Sequence, residues 1–444
     1  MGYSSKGKRP SEYASKSAHS KVIQDEEVVK YLERCHLPKS AEEVELPEQL
    51  IVELDTSIES PIKHVIAIDG GYTDISVKKS FPSSTLAFFQ FGALAFKLND
   101  LEELGQKPFI DPSDMARLKD IERFKFILPT KNIALGDELT LTNTVRRSVY
   151  EFFTAEPRTE SRKLIETLKW FLFEEYSRSP IALWELSSCP SCGERVKIGS
   201  THIKADFTLA CSHCSEKLYL TDVFRLHEAV DNELGASGIL GYVTKLLEQF
   251  ILIYILRSLV RDNPSSLKQV LFIIDGPLAF FGQTANMHRP MQRLIEYLFD
   301  NHELHLAGLE KSGAFVEHAD EIMRRLKPNS VLLLDNTYIH KYIVPGKADP
   351  TKTYGRSTYF GNKVIFKSGD DRTYVVTLAG KEVLEAPTER DIRNLHVILQ
   401  NISLLKCDMY DSSLLPVSLA NKLVSLANHP SSVILEKFSK EKVH

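Results

Sequence analysis

Two short apolar runs that each end in Asp-Gly constrain the fold of this chain more than any other feature of its sequence. The first covers residues 64–71, HVIAIDGG, and the second covers residues 270–277, VLFIIDGP. Runs of β-branched and aromatic residues predict buried strands. A carboxylate followed by glycine at the end of such a strand predicts a sharp turn where the sheet meets solvent. We therefore expect Asp69 and Asp275 to end neighbouring strands, where they can hold a divalent cation between them.

The order of elements along the 444 residues predicts an α/β fold. The chain is longer than a typical domain, so two domains, or one domain with large insertions, are expected. Strands that cluster early and then alternate with helices predict a mixed sheet flanked by helices. The predicted segments are a disordered arm at 1–24, a helical segment at 25–60, a core domain in two parts at 61–180 and 223–444, and a cysteine-bearing insert at 181–222.

Hydrophobic periodicity gives the individual elements of the core. The predicted strands are Val65–Asp69, Asp74–Lys78, Leu86–Phe96, Phe124–Leu128, Val270–Asp275, His305–Leu309, Val331–Asp335, Thr358–Lys367 and Thr373–Leu378. The predicted helices are Asp100–Arg123, Thr142–Thr154, Arg162–Arg178, Ile239–Val260, Arg289–Asp300, Arg390–Leu405 and Pro416–Ala427.

The N-terminal region has two predicted parts. Residues 1–24 are rich in Ser, Lys and Gly, so they form either a solubilising tail, which the composition favours, or a basic arm that touches nucleic acid. A short amphipathic helix begins at Asp25. Its apolar face either docks a partner or packs on the protein's own core.

Four of the six cysteines form two Cys-x-x-Cys pairs, Cys189 with Cys192 and Cys211 with Cys214. Two such pairs complete a closed tetrahedral site, so the pattern predicts a structural zinc ribbon in a reducing compartment. His213 lies between two ligands and is not expected to be one. A second interpretation is that the ribbon grips DNA or a partner through its basic residues Arg195, Lys197, Lys204 and Lys217.

Composition bounds the location and the partners. The formal net charge of −4 argues against a chain coated in nucleic acid, although a nearly neutral total charge still allows local basic patches. Residues 1–21 lack the apolar centre of a secretory signal, so we expect a cytoplasmic protein. The most apolar stretch, Ile239–Val260, contains Lys245, Glu248, Gln249 and Arg257, which predicts a core helix and no membrane span.

A third carboxylate comes from this apolar helix. Glu248 is the only acidic residue of Ile239–Val260. A lone buried carboxylate is costly unless it is paired or bound to metal, so Glu248 is either a metal ligand or the partner of Lys245. Alternatively, it lies exposed on a narrow polar stripe of the helix. If Asp69, Glu248 and Asp275 bind metal, they indicate a particular chemistry. Two divalent cations about 4 Å apart promote phosphodiester hydrolysis, because they activate water and stabilise the leaving oxygen.

Further candidates follow the later strands. Lys311 comes after the strand His305–Leu309, where a lysine supplies a point charge for a phosphate or stays in a solvated loop. Asp335 ends another strand and is a weaker candidate metal ligand. The aromatic and basic mixture that single-stranded nucleic acid favours, which is also ordinary in strands, comprises Tyr338, His340, Tyr354, Arg356, Tyr359 and Lys363.

In their order and spacing these residues resemble the NurA nucleases, the partners of HerA-type hexameric helicases in DNA end processing and phage defence. The resemblance covers about 61–440 and comprises Asp69-Gly70, Glu248 in a helix before a strand, Asp275-Gly276, and Lys311 after the next strand. It implies an RNase H-like domain that binds manganese or magnesium through Asp69, Glu248 and Asp275, with Lys311 assisting at the phosphate. It also implies a homodimer that degrades DNA and docks onto a HerA-like ATPase ring.

The chain departs from that family's pattern near its C-terminus. The family carries a histidine on its last helix, where this chain offers Asn421 or Lys422, and His396 is the nearest substitute. The family's minimal pattern also lacks the four-cysteine insert, which here suggests a bacterial or defence-associated branch.

Two other functions remain open from the sequence. One is a non-catalytic RNase H-like scaffold that regulates the translocase. The other is an ATP-binding protein of the actin and sugar-kinase type, because residues 66–73, IAIDGGYT, resemble the first phosphate loop of that class. That class also needs a late Gly-Gly loop, and the last 65 or so residues hold only the isolated Gly380.

Overall fold

The structure is a computed structural model that describes residues 23–35, 40–105, 119–156, 163–344, 346, 348–407, 413–426 and 431–443. It divides into two compact units, Met1–Glu45 and Leu46–His444. The arm predicted at 1–24 falls almost entirely outside the described residues.

The smaller unit contains one described α-helix, α1 (Glu26–Leu32). Asp25 caps this helix by accepting hydrogen bonds from the backbone N–H groups of Glu27 and Val28, which otherwise lack partners in the first turn. None of the seven helical residues is buried. The helix predicted to begin at Asp25 is therefore confirmed, with Val29, Tyr31 and Leu32 exposed.

The larger unit is built on strands that the structure places in three sheets. The strands are β1 (Ile51–Glu53), β2 (His64–Lys78), β3 (Ser84–Lys97), β4 (Lys119–Lys131), β5 (Leu183–Leu186), β6 (Val196–Gly199), β7 (Thr208–Ala210), β8 (Lys217–Tyr219), β9 (Val270–Asp275), β10 (His305–Glu310), β11 (Ser330–Leu333), β12 (Gly361–Lys367) and β13 (Thr373–Ala379).

Nine of these strands form one mixed sheet in the order β1-β11-β12-β13-β10-β9-β2-β3-β4. The pairs β2–β9 and β9–β10 are parallel, and the remaining neighbours in this sheet are antiparallel. The two small sheets are the hairpins β5–β6 and β7–β8 of the cysteine-bearing insert. The predicted fold class, an α/β protein with a mixed sheet flanked by helices and a small four-cysteine insert, is confirmed.

Helices of this unit cover both faces of the nine-stranded sheet. They are α2 (Leu98–Gly105), α3 (Leu141–Thr154), α4 (Leu164–Leu172), α5 (Leu240–Asp262), α6 (His288–Asn301), α7 (Ala314–Ile322), α8 (Asn336–Tyr338), α9 (Leu395–Leu404), α10 (Leu415–Val424) and α11 (Ser431–Lys442).

Successive side chains of the central strands point into two different cores, one on each face of the sheet. In β2, Ile66 and Ile68 belong to a core shared with α3, α4, α5 and α6. Val65 and Ala67 belong to a second core, shared with α9 and α10. Because successive strand residues point to opposite faces, a strand buried on both sides must be apolar at every position. The continuous apolar runs at 65–68 and 270–274 follow from this arrangement.

The helix predicted at Asp100–Arg123 is wrong over residues 119–123. Helix α2 ends at Gly105, residues 106–118 lie outside the described residues, and β4 already begins at Lys119. Residues Lys119 and Asp120 pair with Ala95 and Leu94 of β3, so strand pairing overrides a charged pattern that locally favours a helix.

The helix predicted at Arg162–Arg178 is shorter than expected. Helix α4 ends at Leu172, and Glu174 adopts a positive φ of 52°, which an α-helix cannot contain.

The long apolar helix lies in the core, as predicted. Within the described residues, the stretch Ser237–Asp262 is the one helix long and apolar enough to cross a membrane, and 83% of its most apolar part is buried inside the protein. That burial is typical of the core helix of a soluble protein. Helix α5 packs against β2 and β3.

Candidate metal centre and acidic cluster

The four cysteines of the insert converge as their spacing predicts. The Sγ atoms of Cys189 and Cys214 are 3.9 Å apart, as are those of Cys192 and Cys211. All four sulfur atoms lie within 4.8 Å of one another, which is a geometry that can bind a metal ion such as zinc. Each Cys-x-x-Cys pair bends back on itself through a residue of positive φ, Gly193 after the first pair and Ser215 after the second.

His213 lies beside this quartet without belonging to it. Its Nε2 is 3.1 Å from the main-chain oxygen of Arg195, and the residue is exposed. The expectation that it is not a ligand agrees with this placement.

The insert is packed onto the body of the protein. Cys189 and Cys211 belong to the same buried core as α3 to α6. Asp222, the last residue of the insert, forms a buried ion pair with Arg146 of α3, whose Nε is 2.8 Å from Asp222 Oδ1. A metal site that fixes the two hairpins therefore also fixes one wall of the core.

The second cluster consists of the three predicted carboxylates and Lys311, which the structure brings together. The parallel strands β2 and β9 pair up to Ile68 and Ile274, so Asp69 and Asp275 follow side by side. Strand β10 lies next to β9 and leads directly into Lys311.

Glu248 reaches this cluster from α5, which crosses the sheet at Gly70. A Cβ atom added to Gly70 would lie 3.3 Å from Glu248 Cγ. We call Asp69, Glu248 and Asp275, together with Lys245 and Lys311, the acidic cluster.

Two lysines pair with the carboxylates of this cluster. Lys311 Nζ is 2.8 Å from Asp275 Oδ2. Lys245 Nζ is 2.7 Å from Glu248 Oε2 and 2.6 Å from the main-chain oxygen of Asp275. Sequence reasoning considered Lys245 only as the partner of Glu248. Its bond to Asp275, which ties α5 to the end of β9, has no signal in the local sequence.

The buried carboxylates Asp69 and Glu248 have too few hydrogen bonds and positive charges around them to offset the cost of burying a negative charge. Asp69 is 2% exposed, its Oδ1 accepts a hydrogen bond of 2.7 Å from Gly70 N–H, and its Oδ2 has no hydrogen-bond partner among the described residues. Burial, with repulsion from Asp275 and Glu248, raises the pKa of Asp69 to about 8, and Lys311 opposes this rise. Burial raises the pKa of Glu248 to about 7 against the attraction of Lys245. The cluster therefore favours an added cation.

The two Asp-Gly pairs serve different backbone needs. Gly276 has a φ of +96° and turns the chain after β9, as predicted. The turn predicted after Asp69 is wrong, because β2 continues to Lys78 and pairs with β3 along its length, with Gly70 opposite Phe91. The segments predicted as separate strands at 65–69 and 74–78 are this one strand. Gly70 is needed for space, since a Cβ there would lie 2.3 Å from a ring carbon of Phe91.

The two weaker candidates lie outside the acidic cluster. Asp335 caps α8, with its Oδ1 accepting a 2.6 Å hydrogen bond from Tyr338 N–H. His396 on α9 accepts from Asp55 N–H at Nδ1 and lies 2.9 Å from Glu389 at Nε2. Within the described residues, neither Asp335 nor His396 contacts the carboxylates of the acidic cluster.

The aromatic and basic residues predicted to favour single-stranded nucleic acid are divided by the fold. Lys363 is buried, forms an ion pair with Glu310, and lies 4.0 Å from the ring centroid of Phe315 and 4.8 Å from that of Tyr359. It therefore stabilises the interior and offers no charge to solvent. Arg356, in contrast, is exposed.

No protein-family model matches this chain, and no curated protein matches its sequence. In the part of the chain that the structure describes, the cysteine quartet is the one group of three or more His, Cys, Asp or Glu residues whose ligand atoms lie within 4.8 Å of one another. The carboxylates of the acidic cluster are neighbours, and Glu248 and Asp275 each pair with a lysine.

Proposed function

We propose that this protein is a metal-dependent deoxyribonuclease whose active site is the acidic cluster. The observation that carries the proposal is the burial of Asp69 and Glu248 beside Asp275, with the pKa values of Asp69 and Glu248 raised to about 8 and about 7. Carboxylates with raised pKa values at one end of parallel strands are typical of functional sites.

The residues present fit manganese or magnesium. Carboxylate oxygens are the ligands that hard divalent cations prefer, and Asp69 Oδ2 is a buried oxygen without a partner in the described part of the chain. Asp69, Glu248 and Asp275 would hold the metal after drawing closer than they lie now. Two such ions, when bound, activate water and stabilise charge on the scissile phosphate.

The lysines of the cluster have separate roles in this proposal. Lys311 is partly exposed beside Asp275, where its ammonium group neutralises a phosphate oxygen. Lys245 holds Glu248 toward the end of β9 through its bond to the Asp275 carbonyl. Lys245 is thus a positioning residue.

The strand order also supports the proposal. Five neighbouring strands run β4-β3-β2-β9-β10, with three antiparallel strands followed by two parallel to β2. The two aspartates, Asp69 and Asp275, are thus carried by the neighbouring parallel strands β2 and β9, where both can contribute oxygen ligands to one cation.

The resemblance to NurA nucleases extends the proposal to partners. By that resemblance the protein is a homodimer that degrades DNA with a HerA-like hexameric ATPase, in DNA end processing or phage defence. The zinc site in the insert would be structural, because four thiolates leave no open coordination position.

Cleavage of linear single- and double-stranded DNA with manganese, magnesium or a chelator tests the nuclease. Reactions run with and without a HerA-like ATPase. We expect metal-dependent cleavage that falls at least about 100-fold in Asp275→Asn and Asp69→Asn, more than the loss of an outer partner costs. The matched control is Asp335→Asn, which also follows an apolar strand but lies outside the cluster. Equal rates in wild type and Asp275→Asn would show that the site is misplaced.

A non-catalytic scaffold is the second candidate, because Lys245 and Lys311 already neutralise part of the cluster. It predicts neither cleavage nor manganese binding by calorimetry. The ATP-binding alternative has less support, since residues 70–73 continue strand β2 and form no phosphate loop.

A further inference from the structure

A polar cleft of about 740 Å³ lies outside the acidic cluster. Three cations line it, Arg289 from the first turn of α6 and Lys352 and Arg356 from the loop before β12. The segment after β13 contributes two carboxylates, Glu382 and Glu385. The volume is within the range of about 300–1,000 Å³ that is usual for ligand sites.

Ion pairs involving the three cations are absent from the part of the chain that the structure describes, and all three are exposed. Arg356 Nη1 donates a 3.4 Å hydrogen bond to the main-chain oxygen of Thr351. His288 also lines the cleft, but burial lowers its pKa, so it adds no charge at neutral pH. The cleft therefore presents three exposed cationic side chains to a ligand.

The two kinds of charge come from different segments, which limits the ligand chemistry. Guanidinium groups bind phosphate oxygens in pairs of hydrogen bonds. Carboxylates accept hydrogen bonds from the amino groups of cytosine and other bases. Base edges are free for such contacts in a single strand, whereas a duplex uses them for pairing.

We propose that this cleft binds a short stretch of single-stranded nucleic acid, with phosphates on Arg289, Lys352 and Arg356 and base amino groups on Glu382 and Glu385. The inference rests on the proposed nuclease for the choice of substrate class.

A continuous set of contacts connects the cleft with the acidic cluster. Gln292 lines the cleft and donates a 3.0 Å hydrogen bond to the Tyr359 carbonyl. The Tyr359 ring packs on Lys363, and Lys363 pairs with Glu310. Glu310 immediately precedes Lys311, the partner of Asp275. A strand bound in the cleft would therefore contact elements that are linked to the carboxylates through these side chains.

Fluorescence anisotropy with a labelled single-stranded oligonucleotide, in chelator so that metal-dependent cleavage cannot occur, tests the inference. The variant is Arg289→Glu with Arg356→Glu. We expect at least about tenfold weaker binding and a shallower dependence of affinity on salt, because two phosphate contacts are lost. The double variant Arg289→Lys with Arg356→Lys should retain most of the affinity.

The matched control is Lys268→Glu with Lys327→Glu, which changes the net charge by the same amount. Both lysines are exposed and precede the strands β9 and β11, away from the residues that line the cleft. We expect wild-type affinity in this control, and circular dichroism melting checks that every variant is folded. Equal weakening in the control and the cleft variant would overturn the inference, as would unchanged affinity in the cleft variant.

The role of the two cleft carboxylates, Glu382 and Glu385, is tested by a separate binding measurement. Glu382→Gln with Glu385→Gln should reduce a preference for oligo(dC) over oligo(dT), because thymine has no amino group on its edge. Competition by a mononucleotide at the same concentration as the oligonucleotide would overturn strand binding. Because these measurements do not use cleavage, the loss of binding in the cleft variant supports the inference even if no DNA is cut. Cleavage with unaltered binding supports the nuclease alone.

Discussion

The cysteine quartet and the acidic cluster are both groups of candidate metal ligands, but they are assembled over very different distances in sequence. The quartet comes from two knuckles within residues 189–214, each closed by its own turn. The acidic cluster draws Asp69 from β2, Glu248 from α5 and Asp275 from β9. Local spacing is therefore enough to bring four candidate cysteine ligands together, whereas the carboxylates meet only because the sheet has formed.

The two groups also differ in how their charge is balanced. Within the described residues, the cysteines have no cationic side chain among their hydrogen-bond partners, whereas Glu248 and Asp275 each pair with a lysine. We therefore expect the insert to depend on its metal for stability and the acidic cluster to stay folded without one.

The largest expected effect separates the two groups directly. Cys192→Ser should lose bound zinc and unfold the insert, because metal binding supplies about 10–16 kcal/mol in small zinc domains. Zinc content by mass spectrometry and melting by circular dichroism measure this. His213→Ala is the control and should keep its zinc, since its Nε2 contacts Arg195. If Cys192→Ser were as stable as wild type with a chelator present, the insert would not depend on a metal for its stability, and the two groups would not differ in this respect.

The next effect tests why glycine follows Asp69. Gly70→Ala should destabilise the protein by about 1–3 kcal/mol, because the new Cβ would meet the Phe91 ring at 2.3 Å and Glu248 Cγ at 3.3 Å. The neighbouring Gly71→Ala is the matched control, because its Cβ would meet only the Val424 carbonyl oxygen, at 3.4 Å. Denaturant unfolding measures both. Equal stability of the two variants would mean that this crowding is relieved elsewhere.

A smaller effect concerns pH. The pKa values of Asp69 and Glu248 are raised in the folded state to about 8 and about 7, so the folded protein keeps protons that the unfolded chain releases near pH 4. Stability should therefore be greatest below about pH 4 for these groups and should fall as pH rises through 7 and 8.

Asp69→Asn sharpens this test, because it removes the group with the larger shift. In chelator at pH 8 it should be more stable than wild type by on the order of 1–3 kcal/mol, and manganese should stabilise wild type more than the variant. Melting temperatures from pH 5 to pH 9 measure both effects. If the stability of Asp69→Asn depended on pH in the same way as that of wild type, the raised pKa of Asp69 would not be the cause of the pH dependence.

The smallest expected effect is that of His396→Ala. Its ring contacts Asp55 and Glu389, so its loss should leave any DNA cleavage unchanged and lower stability by about 1 kcal/mol or less. Cleavage rates beside those of Asp275→Asn measure this. A comparable loss of activity would bring His396 into the site.

Much of this protein was determined by local sequence. The cysteine spacing alone predicted the four-cysteine cluster that can bind a metal, and the apolar periodicity of 142–154, 239–260 and 270–275 predicted the central helices and the strand β9, because each of these patterns acts over a few turns or residues. The same reasoning named Asp69, Glu248, Asp275 and Lys311 as candidates, since a carboxylate in an apolar run needs a reason to be there.

Other features were decided only by tertiary structure. Strand β2 continues past Asp69 because β3 pairs with it, and residues 119–123 extend because β3 also pairs with them. Lys245 enters the acidic cluster only through its bond to the Asp275 carbonyl, and Lys363 leaves the surface only because Glu310 and two aromatic rings enclose it. In each case the deciding partner is distant in sequence, and hydrogen bonding and burial between distant segments outweigh the local preference of either one.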